Sequence, residues 1–184
     1  MKYEFTRKIK WKHILLLLIT FLCMMAFMRY TASQVKNISG GTGVLDLNFG
    51  NSIEHVLQTM NRLGNDGREY YLTHFLVVDC FYAMIYAMFY FCSISFLLHN
   101  NKIRKKSVFN VCFLPIIGMF FDWLENLFLS FLIMNWTAKS ITLCMLFIIS
   151  NIIKFLFVYL SLLLVILGLL YYFLQKISGR ILNK

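Results

Sequence analysis

The sequence is short of charge, and shortest of acid. Of 184 residues 14% are charged and only eight are Asp or Glu, while 60% are hydrophobic and 17% aromatic. An ordinary soluble domain carries about 25% charged residues, so a water-soluble globular domain is excluded. Proline occurs once, as Pro115, and no low-complexity tract, internal repeat or soluble domain boundary interrupts the chain. The five cysteines, Cys23, Cys80, Cys92, Cys112 and Cys144, stand singly inside apolar runs without a C-x-x-C pair. That excludes a dithiol redox centre, a thiolate metal site and a disulfide framework. His13, His55 and His99 are scattered without metal-ligand spacing, and neither H-E-x-x-H nor D-x-D occurs. No metal site is expected, no cofactor is named by any motif, and an enzyme is the weakest of the functional readings.

What the chain has instead is long apolar runs. About 20 apolar residues cross a bilayer core of roughly 30 Å, and four runs reach or approach that length, over about 14–30, 70–98, 108–134 and 141–174. They predict one all-α integral membrane domain over residues 1–184, a four-helix transmembrane bundle with an outer loop over 31–69. At 1.5 Å per residue the fourth run is about 50 Å long and must tilt or project. The connection between the third and fourth runs, Asn135 to Ser140, is so short that these helices must be antiparallel neighbours. Pro115 is expected to kink the third helix. The first run also resembles a secretory signal, with Thr31-Ala32-Ser33 as its weak cleavage site, but reads better as an anchor.

The net charge of +10 is distributed by topology and not by nucleic-acid binding. Lys2, Arg7, Lys8, Lys10 and Lys12, then Lys102, Arg104, Lys105 and Lys106, then Lys176, Arg180 and Lys184 make twelve of the eighteen basic residues, accompanied by the single acid Glu4. The positive-inside bias places both termini in the cytoplasm of a multi-pass cell-membrane protein. These flanks also suit anionic lipid headgroups. The bilayer is the expected partner, with a homo-oligomer or a larger membrane complex left open.

In the outer loop, Ser39-Gly40-Gly41-Thr42-Gly43 is a turn-rich stretch without the lysine and spacing of a phosphate loop. Asn51 precedes Glu54 by three, a capping-box arrangement, and Ile53, Val56, Leu57, Met60 and Leu63 recur at helical spacing before Gly64. A short amphipathic helix with a glycine stop is expected, its apolar stripe on the bundle or the headgroup boundary. Asp46-Leu47-Asn48-Phe49-Gly50 is expected to pack on the bundle top, away from any site.

Four charges lie where they are expensive. Asp79, Asp122, Glu125 and Lys154 sit inside apolar runs, and a charge at mid-bilayer costs at least about 2.5–3.5 kcal/mol. Counted inward from the outer helix ends at 1.5 Å per residue, their depths are about 13, 18, 13 and 20 Å. Asp122, Glu125 and Asn126 share a helix face by i, i+3, i+4 spacing, as Asn151 and Lys154 do on the next helix. Asp79 heads a stripe with Tyr82, Tyr86 and Tyr90. These residues predict one intramembrane polar layer. Arg68, Tyr71 and His74, on the turn into the second span, are expected to form its outer mouth, where Arg68 would suit a phosphate headgroup.

Leu45-Asp46-Leu47-Asn48-Phe49-Gly50, Leu63-Gly64 with Gly67-Arg68 and Tyr71, Asp79, and Phe121-Asp122-Trp123-Leu124-Glu125-Asn126 together resemble a set of small four-span bacterial membrane proteins that carries no assigned activity. In span count the chain is also similar to quinone-linked disulfide-forming membrane proteins, whose cysteine pairs it lacks. The residues support three readings: a site for a cation, small solute or lipid headgroup reached from outside; an accessory subunit whose polar layer only orders the helices; and, least, a lipid-headgroup enzyme using Asp122 and Glu125.

Overall fold

The computed structural model describes residues 9–101 and 106–181. Much of the basic-flank pattern, including Lys2, Arg7, Lys8, Lys102, Arg104, Lys105 and Lys184, lies outside the described residues. Within them the chain is all-helical, with five helices and no strand. They are α1 (Trp11–Ile38), α2 (Ile53–Arg62), α3 (Gly64–Asn100), α4 (Asn110–Met134) and α5 (Ile141–Ile181). All but α2 are long and apolar enough to cross a membrane. The molecule is a multi-pass membrane protein built as a four-helix bundle.

The four long helices run alternately up and down, so the α1–α2 connection and the α4–α5 turn share one end, here termed the loop end. Helix α3 is central: it packs on α1, α4 and α5, while α4 and α5 share the most extensive interface. Lipid tails are as apolar as leucine, so close packing takes over from hydrophobic burial between membrane helices. Two glycines let backbones approach. A Cβ on Gly118 would lie 3.4 Å from Cβ of Phe157, and one on Gly168 would lie 3.1 Å from the Leu97 side chain. Beside Gly168, Asn101 Nδ2 donates to its carbonyl at 3.0 Å.

Several local expectations change. α1 runs without a break through Thr31-Ala32-Ser33, and Thr31 and Val35 are buried against the bundle. Pro115 does not kink a helix interior. It follows a 3-10 turn, Asn110–Phe113, and opens the regular part of α4, where its missing N–H has no intrahelical acceptor to lose. The cap of α2 is Ser52, whose hydroxyl accepts from His55 N at 3.1 Å. Asn51 instead donates to the carbonyls of Leu45 (3.1 Å) and Asn48 (3.2 Å), tying the loop to itself. Gly64, at φ +66°, ends the amphipathic helix. Val56, Met60 and Leu63 are buried, so α2 rests its apolar stripe on the bundle.

Helix α3 contains a π-turn over Tyr71–Phe75, closed by Leu76 N–H donating to the Tyr71 carbonyl. Gly67, Tyr71, Phe75 and Asp79 are all buried and recur every four residues. In a regular α-helix each such step overshoots a turn by about 40°. The wider π-turn absorbs part of that drift and keeps the four on the inward face.

The interior has two apolar clusters. One, at the loop end, gathers Val35, Leu45, Met60, Phe75, Leu129 and Phe147; the other, nearer the termini, gathers Ala83, Tyr90, Ile94, Leu97, Cys112 and Val165. The polar residues of α3, α4 and α5 fall between them.

Candidate functional site

Asp79 of α3, Asp122, Glu125 and Asn126 of α4, and Asn151 and Lys154 of α5 meet in one layer. None is more than 6% exposed, so the polar groups face one another and not lipid. Lys154 Nζ lies 2.5 Å from Glu125 Oε2 and 3.4 Å from Asp122 Oδ1. Asn151 Nδ2 donates to Glu125 Oε1 at 2.9 Å, and Tyr86 OH donates to Asp122 Oδ2 at 3.0 Å. Asn126 Nδ2 donates to Asp79 Oδ2 at 2.8 Å. Lys154, Glu125 and Asp122 are each held by at least two partners, as a low-dielectric interior requires, and Asp79 by Asn126.

The residue that sequence reasoning placed away from the site is Asp46, and the structure puts it inside. The 39–52 connection descends between the helices until Leu45 and Asp46 are fully buried. The Asp46 carbonyl accepts from Lys154 Nζ and from Asn151 Nδ2, each at 3.5 Å. Gly50 N donates to Asn151 Oδ1 at 3.4 Å, so Asn151 clamps both sides of the loop. Non-helical backbone at this depth is tolerated because protein groups, not lipid, satisfy it. Burial, reinforced by the negative charges of Glu125 and Asp79, holds the Asp46 carboxyl well above the usual carboxylate range despite Lys154 and a hydrogen bond from Tyr71. The signal in the sequence was an acid set among Leu45, Leu47 and Phe49, a pattern unsuited to a solvated loop.

The expected mouth of Arg68, Tyr71 and His74 does not form. Tyr71 is fully buried beneath the loop; its hydroxyl donates to Asp46 Oδ1 at 2.5 Å and accepts from Leu45 N at 2.9 Å. Arg68 braces the α2–α3 turn, donating to the Met60 carbonyl at 2.7 Å and Asn65 Oδ1 at 2.5 Å, with its guanidinium 5.3 Å from the Trp136 ring centre. His74 is exposed, stacked on Tyr70 at 4.3 Å. The π-turn separates them, since it turns Tyr71 inward and leaves His74 outside.

A cavity of about 130 Å³ adjoins the layer. Asp46, Asp79, Asp122 and Lys154 supply its polar wall, Tyr82, Tyr86 and Tyr90 its aromatic wall, and Phe21, Leu47, Phe155 and Val158 its rim. The loop covers it from the loop end. Phe21 of α1 and Val158 of α5 both line it, although these two helices make little contact with each other.

Four carboxyl groups therefore surround one lysine. Asp46 lines the cavity, and its Oδ2 has no hydrogen-bond partner. No protein-family model matches the chain, and comparison with curated proteins and with solved structures gives no match to either. The most distinctive chemistry of this four-span membrane protein lies in its buried carboxylate layer.

Proposed function

We propose that the protein binds a small cationic group, an organic ammonium or a proton, in this intramembrane cavity. The observation that carries the reading is the unpartnered Asp46 Oδ2 on the wall of a cavity whose lining carboxyl groups outnumber its lysine three to one. Lys154 offsets part of the negative charge, and the remainder favours a further positive charge or further protonation. The faces of Phe21, Tyr82, Tyr86 and Tyr90 suit an ammonium, whose charge is attracted to aromatic rings by up to about 2 kcal/mol when desolvated. An amine with a short alkyl tail would enter from the bilayer between α1 and α5, leaving its tail against Phe155 and Val158.

The same reading places both termini in the cytoplasm, on the strength of the basic flanks, and puts the 39–52 loop on the outer side of a cell membrane. Single-cysteine variants at Ser39 and Lys105, in a background with the native cysteines replaced, check this from outside intact cells. Labelling at Ser39 alone is expected, and labelling at Lys105 alone would reverse the topology.

Binding is tested on detergent-purified protein by following Tm against n-hexylammonium chloride, with n-hexanol as the neutral control. A saturable rise with the ammonium but not the alcohol, absent from Asp46→Asn, is expected. An equal response in wild type and Asp46→Asn, or none in either, would leave the layer with only a helix-ordering role.

A further inference from the structure

A second polar cavity, of about 430 Å³, lies at the loop end and shares no lining residue with the first. It forms where the run Gly40–Val44 passes the face of α2 that presents His55, Thr59 and Arg62. No acidic side chain lines it.

What lines it is almost entirely donors. Arg62 is exposed and makes no ion pair or hydrogen bond among the described residues, and the His55 ring is likewise unpaired. Thr59 is a largely buried residue whose hydroxyl makes no hydrogen bond among the described residues. Across from them, Gly40 and Gly41 take φ +65° and +113°, conformations that glycine adopts without strain. Beyond this bend the Thr42 carbonyl is taken by Ser39 Oγ at 2.7 Å and the Val44 carbonyl by Asn48 Nδ2 at 3.3 Å. Among the described residues the N–H groups of Thr42, Gly43 and Val44 make no hydrogen bond; the next one, Leu45 N–H, goes to Tyr71. Thr42, Gly43 and Val44, whose amides are unbonded, thus line one space together with Thr59, His55 and the unpaired Arg62.

We infer that this cavity is a binding site for a phosphate ester. Unbonded backbone N–H groups can donate charge-assisted hydrogen bonds to an oxyanion, and the guanidinium fork matches two phosphate oxygens at once. A bare phosphate would leave much of the volume unfilled, whereas small-molecule sites run from about 300 to 1,000 Å³. The ester's organic portion would occupy the remainder. This is not a phosphate loop of the nucleotide-binding kind, since the glycine run lacks that lysine and spacing. The arginine comes instead from the C-terminal turn of α2, about 20 residues further along the chain. A soluble phosphate ester and a phosphomonoester lipid headgroup present the same chemistry here, and the inference does not depend on the carboxylate cavity binding anything.

The test uses the full chain purified in phosphate-free dodecyl maltoside. Glycerol phosphate is titrated by calorimetry, and in parallel the retention of phosphatidic acid is compared with that of phosphatidylethanolamine by native mass spectrometry. Saturable glycerol phosphate binding identifies a soluble ester as sufficient; selective retention of phosphatidic acid alone identifies the lipid source. Either result should weaken at least tenfold in Arg62→Gln and fall clearly in Thr59→Val. Arg62 is exposed, so its replacement should leave Tm unchanged and separate lost binding from lost folding. Failure of both probes to bind wild-type protein, or equal binding to wild type and Arg62→Gln, would overturn the inference.

Discussion

Lys154 and Asp46 are 108 residues apart, yet the ammonium of the first reaches the backbone carbonyl of the second at 3.5 Å. The contact joins the transmembrane bundle to a non-helical loop at the level of the polar layer. One side chain therefore does two things: it offsets the carboxylates of α4, and it holds the loop that brings in a fourth carboxyl group. Loop position and layer charge are consequently coupled.

Breaking the Lys154–Glu125 pair from one side should be costlier than removing it whole. Lys154→Met leaves buried carboxylates uncompensated, a loss of about 3–5 kcal/mol for a buried pair. Adding Glu125→Gln should recover part of it, with a coupling energy of at least about 1 kcal/mol in a double-mutant cycle. Unfolding in mixed micelles with increasing SDS measures this, and strictly additive losses would contradict the pairing.

Asp46 should make stability fall as pH rises. Its folded carboxyl is held well above the ordinary value of 3.8, so across the interval above that value the native state binds a proton that the unfolded chain has released. Stability contributed in the neutral form is then present below the ordinary value and lost as pH climbs through the raised one. Glu125, Asp79, Lys154 and Tyr71 all act on this carboxyl. Asp46→Asn is expected to flatten the slope of Tm against pH above about 4, and an unchanged slope would refute it.

Tyr71→Phe tests the hinge between loop and bundle. The substitution removes the donor to Asp46 and the acceptor for Leu45 N–H. Leaving a buried polar group unsatisfied costs about 1–3 kcal/mol. Hydrogen exchange should quicken at Leu45–Asn51 while the long helices keep their protection; exchange as slow as in the wild type would show that other contacts hold the loop.

A side chain at Gly168 requires the Leu97 side chain to give way, whereas Gly118 should accept one methyl. A Cβ at Gly168 would meet Leu97 side-chain atoms at 3.1 and 3.2 Å, while at Gly118 the nearest atoms lie at 3.4 and 3.5 Å. Gly168→Val is expected to cost about 1–3 kcal/mol by overpacking, read as lowered Tm in detergent. Gly118→Ala should stay within about 0.5 kcal/mol of wild type.

What the chain alone determined follows from local spacing and from the bilayer as solvent. Hydrocarbon accepts only segments whose backbone bonds close internally, so apolar runs translate directly into membrane helices. Spacings of three and four put Asp122, Glu125 and Asn126 on one face and Asn151 and Lys154 on another, and a short turn made the two helices neighbours. That Lys154 meets Glu125 and Asp122 was therefore within reach of the sequence. Tertiary structure decided the rest, because the rest depends on contacts between distant segments. A single π-turn sends Tyr71 inward and leaves His74 outside, and such a turn is stabilised by packing, not by local propensity. Asp46 enters the layer because Asn151, Lys154 and Tyr71, from two other helices, satisfy its carbonyl and one of its carboxyl oxygens; no periodicity in a non-helical loop records how deep it will sit.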